Sequence, residues 1–172
     1  MGASLSGEVR SIYHAPDWLV LHDISGNGRV LMSRNSIRIN MACKPPGDAG
    51  ERDLTWLTAS SVTGLSADGE TVIFADTLSR TPIDPTLFRR TMDGSPAVQL
   101  GEGGGGVLSP DGKWVLAVSG DHLVLLPTGA GAMTPLPKGN VVGIGRGRWL
   151  GDSKRIVFTG SPGDGKPRGY IQ

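Results

Sequence analysis

Short apolar runs alternate with turn-forming residues along the whole chain. The clearest example is LSPDGKWVLAV, Leu108 to Val118, in which one apolar segment ends near Asp111-Gly112 and a second follows. Asp-Gly and Asn-Gly pairs supply the positive φ that two-residue hairpin turns require, so this stretch predicts a β-hairpin. Helical periodicity is absent over any stretch long enough to matter. The pattern therefore predicts an all-β protein.

The hairpin pattern occurs three more times in looser form, as DISGNGRVLMS, GLSADGETVIFA and WLGDSKRIVFT. Alignment on the turn brings Gly28, Gly69, Gly112 and Ser153 into register, with separations of 41, 43 and 41 residues. A nearly constant period of this length indicates a repeat architecture.

Further strand candidates lie between the hairpins: SIRINMA and RDLTWL in the first repeat, TLFRRT and AVQLG in the second, HLVLLP and AMTPLP in the third. Four strands in ~40 residues is the composition of one β-propeller blade. We therefore predict one domain over residues 1–172, with about four four-stranded blades. The predicted blades cover residues 16–59, 60–102 and 103–138, and a last blade from 139–172 that a strand at 7–15 completes.

The repeats also resemble a known family. LSPDGKWVLAV, GLSADGETVIFAD and LFRRTMDGSPAVQLGEG are similar to TolB-like propeller repeats, with their Ser-Pro-Asp-Gly turn and later Asp-Gly-Ser turn. The chain looks most like the propeller region that follows the kinase domain in some bacterial serine/threonine protein kinases. It departs from that pattern at Asp152-Ser153, where the turn glycine is replaced, and in having no kinase domain. The resemblance implies a propeller fold and leaves the function open, because propellers host both binding and catalysis.

The strands at the two ends of the chain need pairing partners. Left open, the terminal blades would expose unpaired strand edges, which proteins avoid. Two closures satisfy this requirement: one chain forms a four-bladed ring, or two chains join by strand exchange into a larger ring. TolB-like propellers usually have more than four blades, as the resemblance implies, and we therefore favour the homodimer.

Composition excludes several classes of protein. Lys plus Arg is 17 and Asp plus Glu is 16, so no charge excess points to nucleic acid or to an anionic membrane. Cys43 is the single cysteine, which rules out an intrachain disulfide and a cysteine-based zinc cluster. Neither a secretory signal nor a membrane-spanning apolar run is present in the sequence. We expect a cytoplasmic protein.

Catalytic signatures such as a Gly-x-Ser-x-Gly elbow, a His-Glu-x-x-His motif or a phosphate-binding loop are missing. The leading prediction is therefore a noncatalytic module that presents a loop face to a protein or peptide partner and needs no cofactor. The alternative is a metal-dependent hydrolase of ester, lactone or phosphotriester bonds, since imidazoles and carboxylates can hold zinc or another divalent metal and activate water. Its candidate metal ligands are His14, His22, Asp23, Asp121 and His122. Isolated histidines in exposed loops explain the same residues without a metal.

Two glycine-rich segments have both a functional and a structural interpretation. GEGGGG, Gly101 to Gly106, is either a phosphate cradle or, as we favour, a linker between blades in which glycines permit close passage. GIGRGRW, Gly143 to Trp149, carries two arginines that could meet an anion or an acidic partner, although a solvated loop is the expected arrangement.

Overall fold

All regular secondary structure in the described part of the chain is β-structure. The computed structural model describes residues 2–3, 7, 9–15, 18–77 and 85–172. Its strands pair as antiparallel sheets, which confirms the all-β prediction. None of the described residues belongs to a helix long and apolar enough to cross a membrane. The chain divides into two compact units, Met1–Arg38 and Ile39–Gln172.

The first unit contains two small antiparallel sheets. Their strands are β1 (Gly2–Ala3), β2 (Val9–Arg10), β3 (Trp18–Ile24) and β4 (Val30–Asn35). β1 pairs with β2, so the strand predicted at 7–15 is shorter than expected, and its role in completing the last blade stays a prediction. β3 and β4 form the first repeat hairpin, with a bulge at His22.

The second unit begins with short strands rather than the longer ones predicted over SIRINMA and RDLTWL. β5 (Ala42–Cys43) pairs with β6 (Arg52–Asp53), and Ile39 forms an isolated parallel bridge with Ala59. The prediction was wrong in length because side chains replace ladder contacts here. The Thr55 hydroxyl accepts the Met41 N–H at 3.0 Å, and the Asp53 carboxylate accepts the Thr55 N–H at 2.8 Å.

Three larger sheets follow. Their strands are β7 (Ser60–Leu65), β8 (Thr71–Asp76), β9 (Thr86–Thr91), β10 (Val98–Glu102), β11 (Gly104–Leu108), β12 (Trp114–Ser119), β13 (His122–Pro127), β14 (Thr134–Pro135), β15 (Arg148–Trp149), β16 (Ile156–Gly160) and β17 (Arg168–Ile171). The first sheet has the order β10-β9-β8-β7, the second β11-β12-β13-β14, and the third β15-β16-β17. Neither the blade boundaries nor the closure into a ring follows from these pairings, and both stay predictions.

The repeat turns are longer than the two-residue turns predicted. In the third repeat the Ser109 N–H donates to the Trp114 carbonyl at 2.7 Å, which leaves a four-residue loop. The Ser109 hydroxyl accepts the Trp114 N–H at 3.0 Å and donates to Asp111 at 2.6 Å. Gly112 alone has positive φ in this loop, at 71°, whereas a two-residue type I′ turn needs two such residues. The serine and aspartate side chains thus close a wider loop that the Asp-Gly pair alone does not reveal.

The core forms where successive sheets pack face to face. Ile73 and Ala75 of β8 lie against Val115 and Ala117 of β12. One repeat later, Leu116 of β12 packs in the same way on Ile156 and Phe158 of β16. Alternate residues of one strand therefore contact the preceding and the following sheet, as the period of two in a strand requires.

Glycines in the inner strands let these sheets approach closely. Gly106 of β11 is buried, and a Cβ at this position would lie 3.0 Å from the Leu87 methyl carbons and 3.1 Å from Val115. The GEGGGG segment is thus a strand-to-strand link and a packing surface, as the structural interpretation of the sequence proposed.

Candidate functional site

A cleft of about 410 Å³ lies where β7, β11 and the segment before β15 meet. β7 and β11 are edge strands of their sheets. In the described part of the chain, their outer edges lack a ladder partner except at Ser60 of β7, whose N–H donates to the Ile39 carbonyl at 3.0 Å. The described residues that line the cleft are Ser61, Thr63, Ala75, Thr77, Pro85, Gly104, Gly105, Val118, Gly120, Ile144, Gly145 and Arg146. The wall is thus made of small and hydroxyl-bearing side chains, with one long cationic side chain.

Glycines hold Arg146 in place within the cleft. The Gly145 N–H donates to the Thr159 carbonyl at 2.8 Å, and a Cβ on Gly147 would clash with the Leu116 side chain at 2.7 Å. The backbone is therefore fixed on both sides of Arg146. The arginine stem lies over Gly105, where an added Cβ would meet its Cγ, Cδ and Nε at 3.2 to 3.3 Å.

Arg146 is the one charged residue among those lining the cleft. The Thr63 and Thr77 hydroxyls donate to the carbonyls of Ile73 and Ala59, at 3.3 and 3.5 Å respectively. Within the described part of the chain, the Arg146 guanidinium has no hydrogen bond or ion pair. Among the described residues, the cleft thus carries one positive charge and no carboxylate.

Asp121 and His122, two of the predicted metal ligands, lie together at the turn between β12 and β13. The His122 Nδ1 atom is 2.5 Å from the Asp121 carboxylate, which also accepts a hydrogen bond from the Lys138 ammonium. The Lys138 hydrogen bond, with the charge of His122, holds the pKa of Asp121 below its ordinary value of 3.8. The carboxylate thus takes part in an exposed ion-pair network with two nitrogen partners.

The other three predicted ligands belong to the first unit. The His22 Nε2 atom is hydrogen-bonded to the Ser33 hydroxyl at 2.8 Å, Asp23 accepts the Ile24 N–H at 2.8 Å, and His14 is exposed. Among the described residues, no three His, Cys, Asp or Glu side chains gather as a metal site. Metal binding by these residues stays a prediction.

A second cavity, of about 700 Å³, lies in the second unit between β5 and the outer side of β7 and β8. Its wall is mainly apolar and includes Met41, Leu54, Leu65 and Met92, with Cys43 beside them. This cavity could not be predicted from the sequence, because it forms from segments that are far apart along the chain.

Part of the cleft was visible in the sequence. The segment from Gly143 to Trp149 was recognised as basic, and it supplies Arg146. Ser61 and Thr63 were missed, although they belong to the first strand of a repeat hairpin. Position 63 could have been found from the register, since β3 and β7 each carry a bulge six residues before the turn glycine.

Comparison with known proteins identifies a fold relationship. No family model and no curated protein matches the sequence. A solved structure from Agrobacterium tumefaciens, of a protein provisionally named TolB, matches 95% of this chain and 79% of its own, with a TM-score of 0.59 and 13% identity. Identity this low establishes shared fold and not shared function. The resemblance to bacterial kinase propellers in particular stays a prediction, whereas the chain has a TolB-like fold.

Proposed function

We propose that this chain is a β-propeller binding module whose cleft between β7, β11 and Arg146 receives a protein or peptide partner. The observation that carries this proposal is the unengaged Arg146 guanidinium beside two strand edges that are largely unpaired in the described part of the chain. An extended peptide can add its backbone to such an edge, while the wall of the cleft selects its side chains. The TolB-like fold is consistent with a binding scaffold of this kind.

The lining of the cleft favours binding over catalysis. None of the described lining residues is a histidine, cysteine, aspartate or glutamate. A hydrolase requires a positioned base, or a metal held by such side chains, next to the substrate. No contact in the described residues favours the metal-dependent hydrolase.

The test of this function is selection of peptides on the full chain from an unbiased display library. A Ser61→Trp variant fills the cleft, and Lys154→Trp places the same indole in an exposed turn outside it. We expect the selected peptides to lose binding to Ser61→Trp and to keep it with Lys154→Trp. Circular dichroism shows whether both variants are folded. If the selected peptides bind folded Ser61→Trp as well as the wild type, the cleft is not the binding site.

We also propose that two copies of the chain associate through the first hairpin. Both faces of β3 and β4 carry exposed apolar side chains, among them Trp18 at 77% exposure and Leu21 at 58%. A two-stranded sheet that buries neither face is marginal in water, and exposed apolar surface of this extent marks an interaction site.

The register of the repeats indicates which surface of the second copy would cover the hairpin. Ile73 and Leu116 occupy the same position of their hairpins and pack on the following sheet. The equivalent residue of the last sheet is Val157, which is 40% exposed. In this proposal Val157 of one copy packs on Val30 and Met32 of the other, which continues the packing between the earlier sheets.

A further inference from the structure

We propose that Arg146 recognises a carboxylate of the peptide partner. This inference rests on the proposed binding function of the cleft and names the chemistry that the cleft would select. It assigns to Arg146 the role of the specificity-determining residue, with the β7 and β11 edges supplying the sequence-independent contacts.

The state of Arg146 differs from that of most arginines in the second unit. Arg52, Arg155 and Arg168 pair with Asp48, Asp152 and Asp164. The guanidinium of Arg90 donates to the carbonyls of Leu54, Gly94 and Ser95, and that of Arg148 to the Gly147 carbonyl. Arg146 has no such intramolecular partner in the described part of the chain, so its donors are available to a ligand.

The stem of Arg146 is packed before any ligand binds, although the residue as a whole is exposed. Its flanking backbone is anchored at Gly145 and Gly147, and its stem packs over Gly105. Gly105 has a φ of +68°, a conformation that residues with a side chain rarely adopt. The backbone conformation thus favours glycine here, and no side chain separates the backbone from the arginine stem. An arginine that is already ordered loses less side-chain entropy when it binds, which raises affinity.

The single positive charge among the described lining residues favours a carboxylate as the ligand. A guanidinium matches the two oxygens of a carboxylate in a planar, bidentate arrangement. A phosphate dianion would demand more positive charge, and no second cation lines the cleft in the described residues. The Ser61 hydroxyl in the lining adds a neutral donor and acceptor for a peptide backbone, and the Thr63 hydroxyl, which donates to the Ile73 carbonyl, can still accept a hydrogen bond. Two sources supply such a carboxylate: an Asp or Glu side chain, and a peptide C-terminus.

The experiment uses short probe peptides with the full chain labelled with ¹⁵N. Three peptides of alanine and glycine differ only in their charge: one has a central glutamate and blocked ends, one a central glutamine and a free C-terminal carboxylate, and one a central glutamine and blocked ends. Amide shifts of Gly104, Gly105 and Gly145 report on the cleft up to about 10 mM peptide, where weak binding is still detected. The first two peptides distinguish the side-chain from the C-terminal source.

We expect at least one carboxylate peptide to shift these glycine amides in a saturable manner, and the neutral peptide to do so at least tenfold more weakly. Arg146→Gln should abolish the difference between the peptides. Arg146→Lys should retain only part of it, because an ammonium does not bind a carboxylate in a bidentate manner. Arg148→Gln is the matched control, since Arg148 contacts its own backbone, and it should behave like the wild type.

Two outcomes would overturn the inference and leave the proposed function intact. One is equal binding of all three peptides at the cleft glycines, and the other is a carboxylate preference that persists in Arg146→Gln. The absence of any shift with any of the three peptides also contradicts it. The proposed function itself fails separately, through display-selected peptides that bind folded Ser61→Trp normally.

Discussion

The backbone N–H of Asp111 donates a hydrogen bond of 3.0 Å to the Ser153 hydroxyl. These residues belong to equivalent turns of the third and fourth repeats, so the bond ties two neighbouring hairpin loops together. Ser153 stands where the other repeats have glycine, and it keeps the left-handed conformation of that glycine with a φ of 56°. The departure of the fourth repeat from the pattern thus supplies a contact that glycine cannot make.

The Ser153 contact predicts different effects for two substitutions. Ser153→Ala keeps the backbone strain and loses the hydroxyl, and we expect it to lower the free energy of unfolding by about 1 kcal/mol. Ser153→Gly loses the same hydrogen bond but relieves a left-handed strain of roughly 1 kcal/mol, so its stability should stay near that of the wild type. Urea denaturation of both variants checks this. Both variants lose the hydrogen bond, so their difference in stability measures the backbone strain. Equal stability of the alanine and glycine variants would show that glycine relieves no strain at this position.

Gly106 gives a second prediction, from packing. Because its Cβ would lie about 3 Å from Leu87 and Val115 in a buried interface, we expect Gly106→Ala to cost roughly 1–3 kcal/mol by overpacking. Gly104→Ala in the same strand is the matched control, since the nearest atom to its added Cβ is the Val118 carbonyl oxygen at 3.9 Å. Thermal denaturation of both variants measures the difference. A Gly104→Ala variant as unstable as Gly106→Ala would point to a loss of backbone flexibility instead of crowding.

The hairpins could be predicted from the sequence because their signals are local. The Asp-Gly and Asn-Gly pairs mark three of the four turns, and the apolar runs on both sides mark the strands. The four-residue loops could not, because they depend on which donors the serine hydroxyls reach in space. A shortened strand such as β5 likewise depends on the Thr55 side chain, which replaces a ladder contact from fourteen residues away.

The cleft could not be predicted from local patterns in the sequence. Ser61, Gly105 and Arg146 are each about one repeat apart, and they meet only because successive sheets pack face to face. The basic character of residues 143–149 was visible in the sequence, but the two arginines looked equivalent. The structure separates them, since Arg148 bonds to the Gly147 carbonyl and Arg146 lies over Gly105.

The Asp93 turn predicts loss of stability in acid. The Asp93 carboxylate accepts hydrogen bonds from the Thr91 hydroxyl and from the N–H and hydroxyl of Ser95, which lower its pKa from 3.8 to about 2. Because the pKa is lower in the folded state, this stabilisation is complete above pH 3.8 and is lost as the pH falls towards 2.

The urea midpoint as a function of pH measures this effect. Asp93→Asn should be less stable than the wild type above pH 3.8 and should lose less stability below it. Thr91→Val removes the largest cause of the shift and brings the folded-state pKa closer to 3.8, so the loss of stability in acid should be smaller than in the wild type and should end at a higher pH. Asp152, whose pKa is also lowered to about 2, would leave a residual dependence in both variants. An unchanged pH profile in Asp93→Asn would contradict the assignment.

Association of two copies predicts the behaviour of complementary variants. Wild-type protein should have twice the chain mass of 18.0 kDa in light scattering, and Val157→Lys and Met32→Glu should each be monomeric. A dimer of either single variant has two equivalent contacts between positions 157 and 32. Each contact would bury one charged side chain against apolar surface, which is costly.

An equimolar mixture of the two variants should recover the dimer. One of its interfaces then has the wild-type Val157 and Met32, and the other joins the new lysine to the new glutamate. Lys154→Glu, in an exposed turn, is the control and should remain dimeric on its own. A wild-type chain that stays monomeric over a wide range of concentration would rule out this association. Recovery of the dimer only in the mixture would instead place Val157 of each copy against Met32 of the other, since no contact between two like residues could produce that result.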